Sequence, residues 1–198
     1  MENIVLCYPV SDSDRQRIER ESPDSRVIAA SQESIAEDIF DADIYCGHAK
    51  VPIDWSAVVN QGRLKWIQSS AAGLDHCLAI AVLESDIVVS GCSGLFANQV
   101  AEQTLALLYG CVRRIPVFVQ AQQQRCFQRQ PVDALHGKSA GIAGFGCNGR
   151  RIADLLENVV SSIVATDVFY DLETREDVEI LQPGDLNQLF ERADVVIA

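Results

Sequence analysis

The chain has 198 residues, 48% of them apolar and 22% charged, and 16 Lys and Arg against 28 Asp and Glu give a net charge of −12. This composition can bury a core along the whole length and excludes a mainly disordered chain, while the length admits one large domain or two modest ones. Acidity and scattered basic residues exclude nucleic acid as an expected partner, because a phosphate backbone would be repelled.

Seven cysteines, at 7, 46, 77, 92, 111, 126 and 147, are widely spaced and form no CxxC pair, so neither a disulfide framework nor a metal site is expected. The N-terminus MENIVLCYPV has no basic leader, and nowhere do about 18 apolar residues follow one another. A cytoplasmic protein with no membrane partner is the expectation.

From the first residue, short Val- and Ile-rich runs alternate with amphipathic stretches. Residues 3–8 (NIVLCY) predict a buried strand, and SDSDRQRIER predicts a helix with Ser13 and Gln16 spaced as a capping box. A strand at 26–30, a helix over SQESIAEDIF and a strand at 42–47 follow. The pattern repeats with a helix over DWSAVVNQ, a strand at 64–69, a helix over GLDHCLAIAVLES and a strand at 86–92. Parallel strands need crossovers, which helices supply, so the order predicts a doubly wound α/β domain over residues 1–96.

Residues 97–128 predict one long amphipathic helix connecting two domains. Asn98 is placed to cap it, Glu102 to meet its dipole in the first turn, and Val100, Leu105, Leu108, Cys111 and Val112 to form an apolar stripe. Pro116 is expected to kink or break it. After the approach QPVDALHGK, the strand SAGIAGF enters a glycine turn, and GRRIADLLENVV predicts a helix. A strand ending in Asp167 follows, then VEIL, DLNQLFERA and DVVIA, so that residues 97–198 make a second α/β domain.

Gly144, Gly146 and Gly149 fit GxGxxG, in which the glycines serve a tight turn, backbone approach to a pyrophosphate, and helix packing on strand. Alone, such a motif is also an ordinary strand-to-helix turn. Here a strand precedes it, a helix follows, and Asp167 ends the next strand, where an acid accepts hydrogen bonds from an adenosine ribose. A carboxylate there repels a 2′-phosphate, and TDVFY offers no neighbouring Lys or Arg, so NAD is the expected cofactor rather than NADP. The alternative role for Asp167 is a strand-end cap.

Four blocks, LKWIQSSAAGLDHC, NQVAEQTLALLYGCVRRIP, LHGKSAGIAGFGCNGRRIADLL and ERADVVIA, together resemble the D-isomer-specific 2-hydroxyacid dehydrogenases, from about residue 40 onward. The resemblance implies a flavodoxin-like substrate domain followed by a Rossmann NAD-binding domain of which only the first half is present. It also implies hydride transfer between NAD(H) and a small 2-hydroxy or 2-oxo acid. By the same resemblance, Ser70, Ala71, Ala72 and Gly73 bind the substrate carboxylate through backbone amides, and Val100 lies against the nicotinamide. Both have plainer alternatives, a helix N-terminus and ordinary helix packing.

Cys147 and Asn148 stand where the family usually has a polar residue followed by Ile or Val. They are counted with the cofactor-binding residues, Asn148 as a pyrophosphate or cap residue that loosens packing beneath the loop, Cys147 as an oxidisable or ordinary thiol. The family's Arg, Glu and His, which bind the substrate and exchange the proton, follow the ADVVIA block in longer relatives, and no position of this chain matches them. His48, His76 and His136 receive no catalytic assignment. The expectation is therefore a truncated chain, inactive alone, from a full-length homodimer; the alternative is a non-catalytic NAD-binding or corepressor-like module.

Overall fold

The computed structural model describes residues 1–169 and 175–198, so Tyr170 of the TDVFY segment lies outside the described residues. The chain forms two compact units, Met1–Ser93 and Gly94–Ala198.

In the first unit, strands β1 (Glu2–Cys7), β2 (Ser25–Ala29), β3 (Ile44–Gly47), β4 (Trp66–Ser69) and β5 (Val88–Ser90) pair in parallel in the order β2-β1-β3-β4-β5. This is the flavodoxin-like order, which reverses direction beside β1. Helices α1 (Asp12–Glu21), α2 (Ile35–Asp38), α3 (Trp55–Gln61) and α4 (Ile80–Leu83) supply the crossovers. Strand alternation sends Val5, Tyr45 and Ile67 to one face, against Ile35, Ile39, Val58 and Val82. Ile4 and Leu6 of β1 point the other way and meet Val27, Val10 and Ile18.

Two local expectations are corrected here. The capping box of α1 is Ser11 with Asp14: the Ser11 hydroxyl accepts from the Asp14 amide at 3.2 Å, and the Asp14 carboxylate accepts from the Ser11 amide at 3.3 Å. Asp14 puts its charge where the first-turn amides are unpaired, and Ser13 is left inside the helix. In GLDHCLAIAVLES, only Ile80–Leu83 is helical, because residues 74–77 form a separate turn that buries Cys77.

The second unit contains α5 (Ala97–Val112), α6 (Ile115–Gln123), β6 (Ser139–Ala143), α7 (Cys147–Leu156), β7 (Ser162–Thr166), β8 (Val178–Leu181), α8 (Leu186–Arg192) and β9 (Val195–Ile197). Its four strands are parallel, in the order β8-β7-β6-β9. With β6 between β7 and β9, this is the strand order of the first half of a Rossmann-type sheet plus its next strand. Ala140, Ile142, Phe145, Ile152, Leu156 and Ile163 pack on one face with Ala101 of α5. On the other face Leu189 of α8 comes so close to Gly141 that an added Cβ would lie 2.8 Å from Leu189 Cδ2.

The single long helix is replaced by α5 and α6. The chain turns at Arg114, whose φ of 52° is left-handed, and Pro116 occupies the first turn of α6. Proline is tolerated there because first-turn amides have no intrahelical acceptor, whereas further along it would clash with the preceding turn. Asn98 does not cap α5: its Oδ1 accepts from Arg151 Nε at 2.7 Å, and Phe96 holds the cap position without a side-chain bond. Glu102 falls beyond the first turn. The inward stripe is Ala101, Leu105 and Leu108, whereas Val100 and Cys111 are exposed. Among the described residues, no helix is long and apolar enough to cross a membrane.

Candidate functional site

In the second unit, the chain leaves β6 through Gly144, Phe145 and Gly146 and enters α7 at Cys147. Gly144 has φ +98°, in the left-handed region, and its amide donates to the Thr166 carbonyl at 2.8 Å, which ties the turn to β7. Gly149 allows α7 to lie against that turn: an added Cβ would stand 2.1 Å from the Gly144 carbonyl oxygen. Gly146, the N-cap residue, is different, since no atom lies within 4 Å of its missing Cβ. Two glycines therefore answer the protein's own geometry, and the third leaves open space over amides that begin a helix, where an anion is favoured.

Asp167 sits at the end of β7 and faces this turn. Its Oδ2 accepts from the Phe145 amide at 2.6 Å, and its Oδ1 accepts from the Phe169 amide at 2.9 Å. The strand-end cap is thus present, while each oxygen keeps a further lone pair for a hydroxyl donor. This clasp was legible only as the acid's position; the bond to Phe145 depends on the β6–β7 register, which sets Ala143 opposite Thr166. Phe145 is buried, with the Arg150 guanidinium 4.9 Å from its ring centroid.

Cys147 and Asn148 are both exposed at the mouth of the turn. Asn148 therefore does not loosen packing beneath the loop, which Ile142, Phe145 and Ile152 provide. Val100 projects from the first turn of α5 and is 37% exposed. Sequence reasoning overlooked Val168 and Phe169, 76% and 73% exposed beside Asp167. Their signal was apolar residues continuing past the end of a strand. Arg175 is bound by Asp177 and Asp154, and also donates to the Arg150 carbonyl at 3.5 Å. These partners hold its guanidinium charged and engage it within the protein.

In the first unit, Ser70–Gly73 follow β4. The Ser70 amide donates to the Gly47 carbonyl at 3.2 Å and the Ala71 amide to the Ser69 hydroxyl at 3.0 Å. The Ala71 carbonyl accepts from the Cys92 amide at 3.0 Å. The amides of Ala72 and Gly73 have no such partner among the described residues, and both residues are exposed. Four residues expected to act together thus divide: Ser70 and Ala71 anchor the loop, and Ala72 and Gly73 present two successive donors to solvent.

Of the three histidines, two lie in the first unit and one in the second. His136 is exposed in the approach to β6. His48 and His76 stack face to face in the first unit, with ring centroids 4.0 Å apart and planes 8° apart. His76 Nε2 lies 3.3 Å from the Ser69 hydroxyl.

Residues 105–198 match the family model described as "D-isomer specific 2-hydroxyacid dehydrogenase, NAD binding domain". A glyoxylate reductase of Thermofilum pendens is 28% identical over 176 residues, covering 84% of this chain and 51% of its own length. A D-isomer specific 2-hydroxyacid dehydrogenase family protein from Aeromonas salmonicida superposes with TM-score 0.77 at 23% identity, covering 99% of this chain and 63% of that one. A D-lactate dehydrogenase from Aquifex aeolicus, solved with NAD and lactic acid, superposes with TM-score 0.76 at 19% identity, covering 98% of this chain and 59% of that one. The chain spans about half the length of the curated relatives it matches. A parallel Rossmann-type sheet with this glycine turn, joined in one chain to a flavodoxin-like unit, agrees with those matches: residues 105–198 are similar to the NAD-binding domain of the D-isomer-specific 2-hydroxyacid dehydrogenases, and the chain shares the fold of their solved members.

Proposed function

We propose that the second unit binds NAD and that the protein is an oxidoreductase transferring hydride between NAD(H) and a small 2-hydroxy or 2-oxo acid. The observation that carries this reading is the contrast within the glycine turn: Gly144 and Gly149 are required by the fold, whereas Gly146 leaves space that the fold itself does not use. Gly146 with the first amides of α7, including those of Cys147 and Asn148, receives the pyrophosphate, and Gly149 sets the depth of the turn. Asp167 receives the adenosine ribose hydroxyls, with Val168 and Phe169 as apolar flanks. Val100 meets the nicotinamide. When bound, the cofactor supplies or accepts the hydride.

NAD is preferred to its 2′-phosphorylated form because Asp167 would repel the phosphate, and Arg175, the nearest cation in sequence among the described residues, is engaged by Asp177 and Asp154. In the first unit, Ala72 and Gly73 receive the substrate carboxylate on their exposed amides, with Ser70 and Ala71 as the anchors of that loop.

The 198 residues alone bind without turning over, since no position of the chain matches the family's Arg, Glu and His. In the whole protein we infer a homodimer formed through the second unit. Leu107, Ile115, Val117, Val119 and Phe127 are exposed there, and Arg113, Arg125 and Arg129 line a neighbouring groove of about 890 Å³ in a chain of net charge −12. Seven cysteines outside any disulfide, three of them exposed, favour a reducing, cytoplasmic setting.

Fluorescence titration of the chain with NADH and NADPH tests the reading. Saturable NADH binding, at least about tenfold tighter than NADPH, is expected. Absence of NADH binding by a folded chain overturns it, and rapid oxidation of NADH with pyruvate or glyoxylate overturns the inactivity. Sedimentation of the full-length protein as a monomer overturns the dimer.

A further inference from the structure

The stacked histidines lie under the loop that carries the exposed Ala72 and Gly73 amides, and one oxygen links them to it. The Ser69 side chain is buried, and its hydroxyl accepts from the Ala71 amide at 3.0 Å, approaches the Ala71 carbonyl at 3.3 Å and approaches His76 Nε2 at 3.3 Å. Those contacts use the hydroxyl fully if Nε2 donates to it and its own proton goes to the Ala71 carbonyl. The other ring nitrogen fits this assignment. His76 Nδ1 is sealed from solvent without a partner, and a buried unpaired N–H is rarer and costlier than a buried lone pair.

The ring is held at Nε2, on one face and through its backbone carbonyl. The Trp55 indole N–H of α3 donates to the His76 carbonyl at 3.2 Å, and His48, whose carbonyl accepts from Gln32 at 3.0 Å, covers the ring face. Among charged groups, Asp75 on the same turn acts on the ring. Burial, with His48, holds the His76 imidazole below its ordinary pKa, and Asp75 opposes them.

We propose that His76, backed by His48, is a proton-linked positioning residue of the anion loop, so that a carboxylate on the Ala72 and Gly73 amides is bound together with one proton on His76. This rests on the reading of that loop as the carboxylate site. Because Nε2 already donates to Ser69, the proton that His76 takes up goes to Nδ1, and the field of the bound anion must outweigh the cost of burying that unpartnered N–H. Protonation leaves the Nε2–Ser69 bond intact, because Nε2 donates in both states. The loop geometry is kept and only its charge changes.

Linkage fixes the sign. An anion favours the charged ring and raises its pKa; the affinity therefore climbs as pH falls through the bound-state pKa and levels off below the free-state value, which is under about 6.5.

The test is an NMR titration of the 198-residue chain with sodium pyruvate between pH 8 and pH 5.5, following the Ala72 and Gly73 amides and the histidine ring protons. The affinity is expected to rise by about fivefold or more across that range, with the His76 midpoint moved upward by pyruvate. In His76→Asn the pH dependence should vanish while the amides still respond, and in Ser69→Ala the affinity should fall at every pH. A flat pH profile in the unsubstituted chain, with responding amides, overturns the inference and leaves the loop reading standing. Amides that never respond overturn both, and NADH titration of the same sample reports the second unit separately.

Discussion

Replacing Gly149 by Ala separates what the glycine turn owes to the fold from what it owes to a ligand. The new Cβ would stand 2.1 Å from the Gly144 oxygen, 3.1 Å from the Gly144 carbonyl carbon and 3.3 Å from Ile142 Cγ2. An ordinary C···O contact is about 3.3 Å, so α7 must retreat by roughly 1 Å. A gap of that size forfeits about a quarter to a half of the dispersion contact under Ile152, Ala153 and Leu156, which are buried beneath the helix. Overpacking of this kind costs about 1–3 kcal/mol, and a backbone neighbour that cannot rotate away places it at the upper end. The better helix propensity of Ala returns at most about 1 kcal/mol. A net loss of about 2 kcal/mol lowers the melting temperature of a unit this size by roughly 8–16 °C.

Gly146→Ala is the control. Its φ of −74° suits any residue and its Cβ would meet nothing, so stability should be unchanged while NADH affinity falls by about tenfold or more. Calorimetry with far-UV dichroism reads the second unit. Trp55 and Trp66, the chain's two tryptophans, both lie in the first unit, and their fluorescence serves as an internal standard that should not move. Unaltered melting of Gly149→Ala, or full NADH affinity in Gly146→Ala, would refute the reasoning.

Asp167→Ala should cost about 1–3 kcal/mol by orphaning the Phe145 and Phe169 amides, as well as weakening NADH; denaturant melts that match the unsubstituted chain would contradict the clasp. Gly141→Ala drives a Cβ to 2.8 Å from Leu189 and 2.9 Å from Ala193, so urea unfolding should show a loss of about 1–3 kcal/mol, and no loss would mean that α8 is free to move. Asp43 is buried; that burial raises its carboxyl, but the Asn3 amide at 2.9 Å, Arg63 at 2.9 Å and Lys65 at 3.6 Å outweigh it and hold the group below the ordinary carboxylate range. Its contribution is present above about pH 4 and lost as pH falls through the lowered value. Asp43→Asn should therefore flatten the acid limb of the tryptophan-monitored transition, and an unchanged limb would rule this role out.

The strands were legible in the sequence because a parallel sheet covered on both faces writes itself as continuous apolar runs, such as VLC and IVAT. Helix ends were not. Whether Ser11 or Ser13 caps α1 depends on which carboxylate reaches back, and α5 ends where Arg114 adopts a left-handed conformation that no local pattern announces. Asn98 has a good cap residue's chemistry but was claimed by Arg151, 53 positions away. The cofactor site divides in the same way. Spacing located the glycines and Asp167, whereas only coordinates reveal that the acid's oxygens already hold two amides, or that two of four loop amides are spent. The His48–His76 stack joins residues 28 apart and had no sequence signature.

The place of β9 has a kinetic meaning. Its three residues pair with Ala140, Gly141 and Ile142, and the clasp that closes them, the Asp194 carboxylate on the Ser139 amide at 2.9 Å, spans 55 residues. Closing so long a loop costs entropy before any contact rewards it, while β6, α7 and β7 assemble from near neighbours. The second unit should thus fold from the β6–α7–β7 nucleus outward and admit β9 last. Under native conditions the same strand should open first, its amides exchanging with solvent while those of β6 and β7 remain protected.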